Sequence, residues 1–163
     1  MRTLLIVYHS LTGGTRQMAL AAAHGAAAEP DVSTRLLLAT EAGPGDLLAA
    51  DAYIFATPEN LGAISGLMKD FFDRSYYPAL GDIEGRPYAS LICAGSDGEN
   101  AARQIARIST GWRLKAIAEP TIVVTRAQTA EAILAPKIIQ PADLAICATI
   151  GATLAAGLAA GIF

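Results

Sequence analysis

Between residues 9 and 16 the chain reads His9-Ser10-Leu11-Thr12-Gly13-Gly14-Thr15-Arg16, a concentration of hydroxyls and glycines with one cation at its end. Ser10, Thr12 and Thr15 offer three hydroxyl donors, and Gly13 and Gly14 let the backbone approach a ligand closely. Such a set holds an anion without reacting with it. A nucleotide P-loop requires Gly-Lys-Ser/Thr, and this stretch contains no lysine. A dinucleotide fingerprint requires three spaced glycines, and only one Gly-Gly pair occurs. Ser10 and Arg16 have the spacing of a cysteine-phosphatase loop, but serine without an adjacent base is a poor nucleophile. What remains is a near-neutral cradle for a phosphate monoester. Taken alone, the same residues also suit an ordinary strand-to-helix turn with a threonine cap.

The flanking elements are those an anion cradle needs. Thr3-Leu4-Leu5-Ile6-Val7-Tyr8 is short, apolar and β-branched, which predicts a buried strand. Thr15 to Ala28 is alanine-rich, which predicts a helix. A helix starting where the loop tops the sheet directs its free amides and positive end at the ligand. Further strands are predicted at 31–38, 52–56, 87–93 and 121–124. Helices are predicted at 63–74 and 98–115, with a short turn capped by Asp46 through Ala49. Strand and helix in alternation predict an α/β fold, a doubly wound five-stranded parallel sheet with helices on both faces. In such sheets ligands sit at the carboxyl ends of the strands.

Two further loops fall at strand ends. Thr57-Pro58-Glu59-Asn60-Leu61-Gly62-Ala63-Ile64 combines a proline exit with Asn60 and Gly62, two residues that tolerate positive φ. Ala94-Gly95-Ser96-Asp97-Gly98-Glu99 places small polar groups between two glycines at a helix start.

These residues carry a family resemblance. Ile6 to Ala19 resembles the flavodoxin signature, whose Ser/Thr-x-Thr-Gly-x-Thr core holds the phosphate of FMN; Ala22 stands where that signature usually has a larger aliphatic residue. Thr57 to Arg74 resembles the NAD(P)H-dependent FMN reductase branch, whose general shape is shared by the quinone reductases once named tryptophan-repressor-binding proteins. The resemblance implies a flavodoxin-like strand order 2-1-3-4-5 and FMN as cofactor. It places the phosphate on Ser10, Leu11, Thr12, Gly13, Gly14 and Thr15. The ring would be framed by Thr57, Pro58, Glu59, Asn60, Leu61, Gly62, Ala63 and Ile64 on one side and by Gly95, Ser96, Asp97 and Gly98 on the other. Leu61 and Ile64 are the bulky apolar groups on offer, and the third loop has no aromatic. An open ring face favours NAD(P)H-dependent reduction of a flavin, quinone or similar acceptor. The alternatives are a one-electron flavodoxin-type carrier and an interaction or regulatory domain that has lost the flavin. The flavin would carry the chemistry, so no catalytic side chain and no metal are expected; His9 and His24 are too few for a metal site.

The length of 163 residues suits a single domain, 1–163, with a substantial core. A net charge of −3 offers no basic footprint for nucleic acid. Two cysteines make no disulfide framework and suggest a reducing cytoplasm. The six-residue apolar run near the start is too short for a signal peptide. Leu144 to Phe163 carries no charge and contains Gly157-x-x-x-Gly161, a membrane dimerisation pattern. However, Pro141 and Asp143 start it as an ordinary helix, and Leu144, Cys147, Ile150, Leu154 and Leu158 form one stripe. It is expected to be the closing core helix, not a membrane span. Cys93 is expected at a strand end near the site, as core. Arg16 either serves an anion or is solvated, and Tyr76-Tyr77-Pro78 is expected in packing or a subunit contact. Residues 125–140 are expected to form a surface excursion with one helical turn at 130–134. In related reductases such excursions build dimer interfaces and donor sites, so the resemblance is compatible with a homo-oligomer.

Overall fold

Strand β1 (Arg2–Tyr8) divides its side chains between two cores. Leu5 and Val7 enter one, Leu4 and Ile6 the other, and all four are fully buried. A strand covered on both faces must be apolar at successive positions, which is why this one reads as an unbroken run. The computed structural model, which describes residues 1–163, continues with α1 (Gly14–Ala26), β2 (Val32–Leu38), α2 (Pro44–Ala49), β3 (Ala52–Asn60) and β4 (Ala63–Ile64). Then come α3 (Gly66–Ala79), β5 (Pro87–Ala94), α4 (Glu99–Gly111), β6 (Lys115–Ala116), β7 (Thr121–Val124), α5 (Ala130–Leu134) and α6 (Pro141–Ala159).

The sheet runs β2-β1-β3-β5, and β6 and β7 both pair in parallel with the outer edge of β5. These two pieces are one fifth strand interrupted by a bulge. Pro87 lies opposite Lys115 and Leu91 opposite Thr121, so two extra residues are pushed out ahead of Pro120, which has no N–H to donate. The expected flavodoxin-like order 2-1-3-4-5 is thereby realised.

Two helices differ in their bounds from the sequence-based expectation. The helix expected from Ala63 begins at Gly66, because β3 continues to Asn60 and turns back as β4, with Asn60 opposite Ala63. Ser65, whose Oγ accepts from the Met68 N–H at 3.4 Å, caps the helix instead. That helix also runs past Arg74 to Ala79, so Tyr76 and Tyr77 lie in its last turns. Tyr76 stacks on Trp112 with ring centroids 5.5 Å apart, while Tyr77 is exposed. The helix expected through Lys115 ends at Gly111, where Trp112 is buried and Arg113 takes φ 57°, reversing the chain into β6.

The two faces of the sheet are packed differently. Tyr53, Phe55, Phe71, Phe72 and Trp112 fill the layer beneath α3 and α4. The opposite layer contains no buried aromatic and is built from Ala, Val, Leu, Ile, Met and Cys beneath α1 and α6. There the two helices touch backbone to backbone: a Cβ on Gly151 would collide with the Ala22 carbonyl, and one on Gly25 with the Ala148 carbonyl. The glycines at 25 and 151 are thus what let α6 approach. α6 is 19 residues long and apolar enough to cross a membrane by length and composition, yet this glycine face is packed against α1 as the closing helix.

Substituting Gly151 with alanine is expected to destabilise the chain by about 1–3 kcal/mol through overpacking against a backbone that cannot yield. The atoms nearest to a Cβ on Gly157 belong to the exposed Phe163 ring, which can move aside, so Gly157→Ala should cost far less. Urea unfolding of the two variants checks the contrast.

Candidate functional site

The carboxyl ends of β1, β3 and β5 deliver three loops to one cleft of about 60 Å³. Ser10, Leu11, Thr12, Gly14 and Thr15 line it from the first loop, Pro58, Glu59 and Asn60 from the second, and Gly95 from the third. This volume accommodates an anion the size of a phosphate group.

The cradle is built around the start of α1. Gly13 caps the helix with φ 91°, a conformation that favours glycine, and no side chain caps the first turn. The first-turn amides therefore have no intrahelical acceptor and remain available to an anion. Ser10 Oγ accepts from the Gly13 N–H at 3.2 Å, which tightens the loop. Gly14 is required by closeness: a Cβ there would lie 2.6 Å from Cys93 Sγ. Thr15 is 1% exposed, and its Oγ1 has no hydrogen-bond partner although it lines the cleft. A buried hydroxyl without a partner costs on the order of 1–3 kcal/mol, and an anion in the cleft would remove that cost. Arg16, by contrast, is exposed and outside the cleft.

The second loop is a β-hairpin. Its tip is Leu61 at φ 52° and Gly62 at φ 73°, so positive φ falls on Leu61 where Asn60 was expected to carry it; Asn60 is extended and paired. Glu59 anchors the hairpin to the next helix, its two carboxylate oxygens accepting from the Gly98 N–H at 2.8 Å and the Ala101 N–H at 3.1 Å. A carboxylate there both satisfies free amides and meets the positive end of α4. Asn100 donates to the Gly62 carbonyl, and Gln104 accepts from the Ile64 N–H at 2.9 Å. Thr57 is buried below the cleft, its Oγ1 accepting from the Ser65 N–H. Ile64 is buried in the aromatic-side core, which leaves Leu61, fully exposed, as the bulky apolar group free to meet a ligand. Gly62, Ala63, Ser96, Asp97 and Gly98 lie beside the cleft without lining it.

Several lining residues were not foreseen. Thr125, Ala127, Ile133 and Lys137 come from the excursion after β7, which folds back over the cradle. The Lys137 N–H donates to the Thr12 carbonyl at 2.9 Å, and the Ala127 carbonyl lies 2.7 Å from where a Cβ on Gly95 would be. Gln17, a polar side chain at the start of α1, was the one local hint of that attachment. Cys93 forms part of the floor, as its strand-end position suggested. Burial pushes its thiol pKa up, opposed by the nearby Lys137 charge, and burial pushes Cys147 up to about 11. Both thiols are protonated at neutral pH and are poor nucleophiles.

Comparison with known proteins decides the family: the model of the NADPH-dependent FMN reductases matches residues 44–130. The chain belongs to that family. The match contains the hairpin and the third loop, whereas the cradle and Lys137 lie outside it. A flavodoxin of Aquifex aeolicus is 34% identical over 111 residues, covering 67% of this chain and 58% of that protein. An NAD(P)H dehydrogenase (quinone) of Acidithiobacillus ferrooxidans is 33% identical, covering 46% of this chain and 48% of its own length. The chain thus spans about half the length of these curated relatives. A solved flavodoxin from the domain Archaea superposes with a TM-score of 0.78 at 19% identity, over 96% of this chain and 99% of that one, a likeness of fold.

Just before the cradle, His9 Nδ1 is buried without a partner, and desolvation lowers the His9 pKa from its ordinary 6.5. The unfolded chain therefore binds more protons than the folded one as pH falls through 6.5, and stability is lost on the acid side. The melting temperature should drop between pH 7 and pH 5 more steeply for the wild type than for His9→Asn.

Proposed function

We propose that the cleft binds the phosphate of FMN and that the chain acts as an NAD(P)H-dependent reductase of a flavin, quinone or similar small acceptor. One observation carries the reading: a buried, unpartnered Thr15 hydroxyl at the uncapped start of α1, where free amides already converge. The donor set fits a phosphate monoester, with hydroxyls from Ser10, Thr12 and Thr15 and amides from the first turn of α1. Pro58, Asn60, the Leu61 tip and Gly95 would border the ring. When bound, FMN supplies hydride and electron transfer; the chain's own part is to hold and orient it. Glu59 is already held by the Gly98 and Ala101 amides at the start of α4, so its carboxylate fixes the hairpin and does not act as a mobile base. Membership of the reductase family and the absence of any aromatic side chain among the cleft-lining residues support an open face for a donor to stack on.

The flavodoxin of Aquifex aeolicus supports a second reading, that of an electron carrier with a protein partner. Absorption spectroscopy after incubation with FMN and desalting separates the cases. Retained flavin bands with steady NAD(P)H oxidation in the presence of a quinone support the reductase. Retained bands without turnover support the carrier. A colourless folded protein sinks both and leaves an interaction domain.

Thr15→Val tests the cradle directly. It should weaken FMN binding by about tenfold or more, since a hydrogen bond to a charged group is worth about 1.5–3 kcal/mol. It should leave the melting temperature of the ligand-free protein unchanged or slightly raised, because the lost hydroxyl had no partner. Titration calorimetry and thermal melts give the two readouts; unchanged FMN affinity would remove the reading.

A further inference from the structure

We propose that Lys137 is the phosphate-selecting cation of this site, carried to the cradle by residues 125–140 and positioned there by Gln17. This inference rests on the cradle being a phosphate site. The first loop lacks a charge for that purpose: its lining residues are Ser10, Leu11, Thr12, Gly14 and Thr15, and Arg16 is exposed outside the cleft. A dianion seated there would meet hydroxyls and amides but no counter-charge from the loop itself. Lys137 is the one cationic residue that lines the cleft.

Its attachment is specific. Gln17 Nε2 donates to the Gly13 carbonyl at 3.0 Å and the Lys137 carbonyl at 2.7 Å, and its Oε1 accepts from the Ile139 N–H at 3.0 Å. One side chain on the first turn of α1 therefore grips the backbone on both sides of Ile138, while the Lys137 N–H bonds the Thr12 carbonyl. Lys137 Cβ and Ile139 Cδ1 lie 3.4 and 3.5 Å from where a Cβ on Gly14 would sit, so the segment is packed directly on the cradle. The ammonium makes no ion pair. Its Nζ donates to the carbonyls of Ala132, Ile133 and Ala135 at 2.8, 2.9 and 2.5 Å, which leaves its charge uncompensated by any carboxylate. Its field reaches the cleft floor, where it lowers the Cys93 thiol pKa against the effect of burial. The other acid in the cleft, Glu59, is turned to the α4 amides. An ammonium held by neutral carbonyls beside an anion cradle favours a dianionic phosphate monoester over its dephosphorylated counterpart.

The test compares dissociation constants for FMN and riboflavin, read by flavin fluorescence at low and high salt. It uses wild type, Lys137→Gln, Lys137→Arg and Gln17→Leu. Lys137→Gln keeps a donor for the α5 carbonyls while removing the charge. It should weaken FMN binding about tenfold, leave riboflavin binding unchanged and flatten the salt dependence, whereas Lys137→Arg should retain most of the affinity for FMN. Gln17→Leu should speed amide exchange at Lys137 and Ile139 and weaken FMN but not riboflavin. Equal weakening of FMN and riboflavin by Lys137→Gln would assign the residue a structural role and overturn the proposal, as would no change in either. A wild type that binds FMN no better than riboflavin marks failure of the phosphate reading itself, and the role of Lys137 falls with it.

Discussion

The position of α1 is the constraint on which the rest of the site depends. The helix is wedged between the sheet and α6 by contacts that have no room for a Cβ: Gly25 meets the Ala148 backbone of α6 and Gly151 of α6 meets the Ala22 backbone, while Gly14 packs on the Cys93 side chain of β5. Contacts between backbones cannot adjust by changing a rotamer, so they fix the height and tilt of the helix more firmly than large side chains would. Because the uncapped end of α1 is the proposed anion-binding element, the same contacts set where its amides converge. Small residues in this layer therefore serve recognition as well as packing.

The opposite face solves a different problem. α3 and α4 stand off the sheet on a layer of aromatic rings centred on Phe55, with Phe72 edge-on at 5.2 Å and Trp112 at 6.3 Å. The Trp112 indole N–H reaches the Tyr76 carbonyl at 2.9 Å, so the largest buried side chain has no unsatisfied donor. This thicker layer supports the β3–β4 hairpin through Ile64 and places α4 where Glu59, Asn100 and Gln104 can tie the hairpin down. A tip carrying a non-glycine residue at φ 52° is held by those three side chains, which offsets the cost of its left-handed backbone.

The proposed site combines oriented dipoles from β1 and α1 with a single lining cation, Lys137. Its donors are hydroxyls and amides already oriented by β1 and α1, the one local carboxylate is occupied at a helix start, and the cysteines are protonated. Such a constellation suits a ligand that brings its own chemistry. Membership of the FMN reductase family agrees with that character, and Ile133 and Lys137, which lie beyond the family-matched span, add an apolar wall, the one cation lining the cleft and a direct bond to the cradle.

Local signals in the sequence determined most of the frame. Apolar runs buried on both faces identified β1, β3 and β5, Ser10 to Thr15 marked the loop that lines the cleft, and Pro141 with Asp143 identified the start of α6, because each depends on neighbours in the chain. Strand order came from the family resemblance, since alternation alone is compatible with several doubly wound orders. What only the tertiary structure decided depends on partners far away in sequence. Asn60 is extended because Ala63 pairs with it, and Glu59 is held because α4 begins beside it. The cleft gains Lys137 because Gln17 holds a segment 120 residues further along the chain. Composition could not reveal that last contact: residues 125–140 have no periodicity that points inward, and their place over the cradle is set by backbone carbonyls and amides, which every sequence possesses.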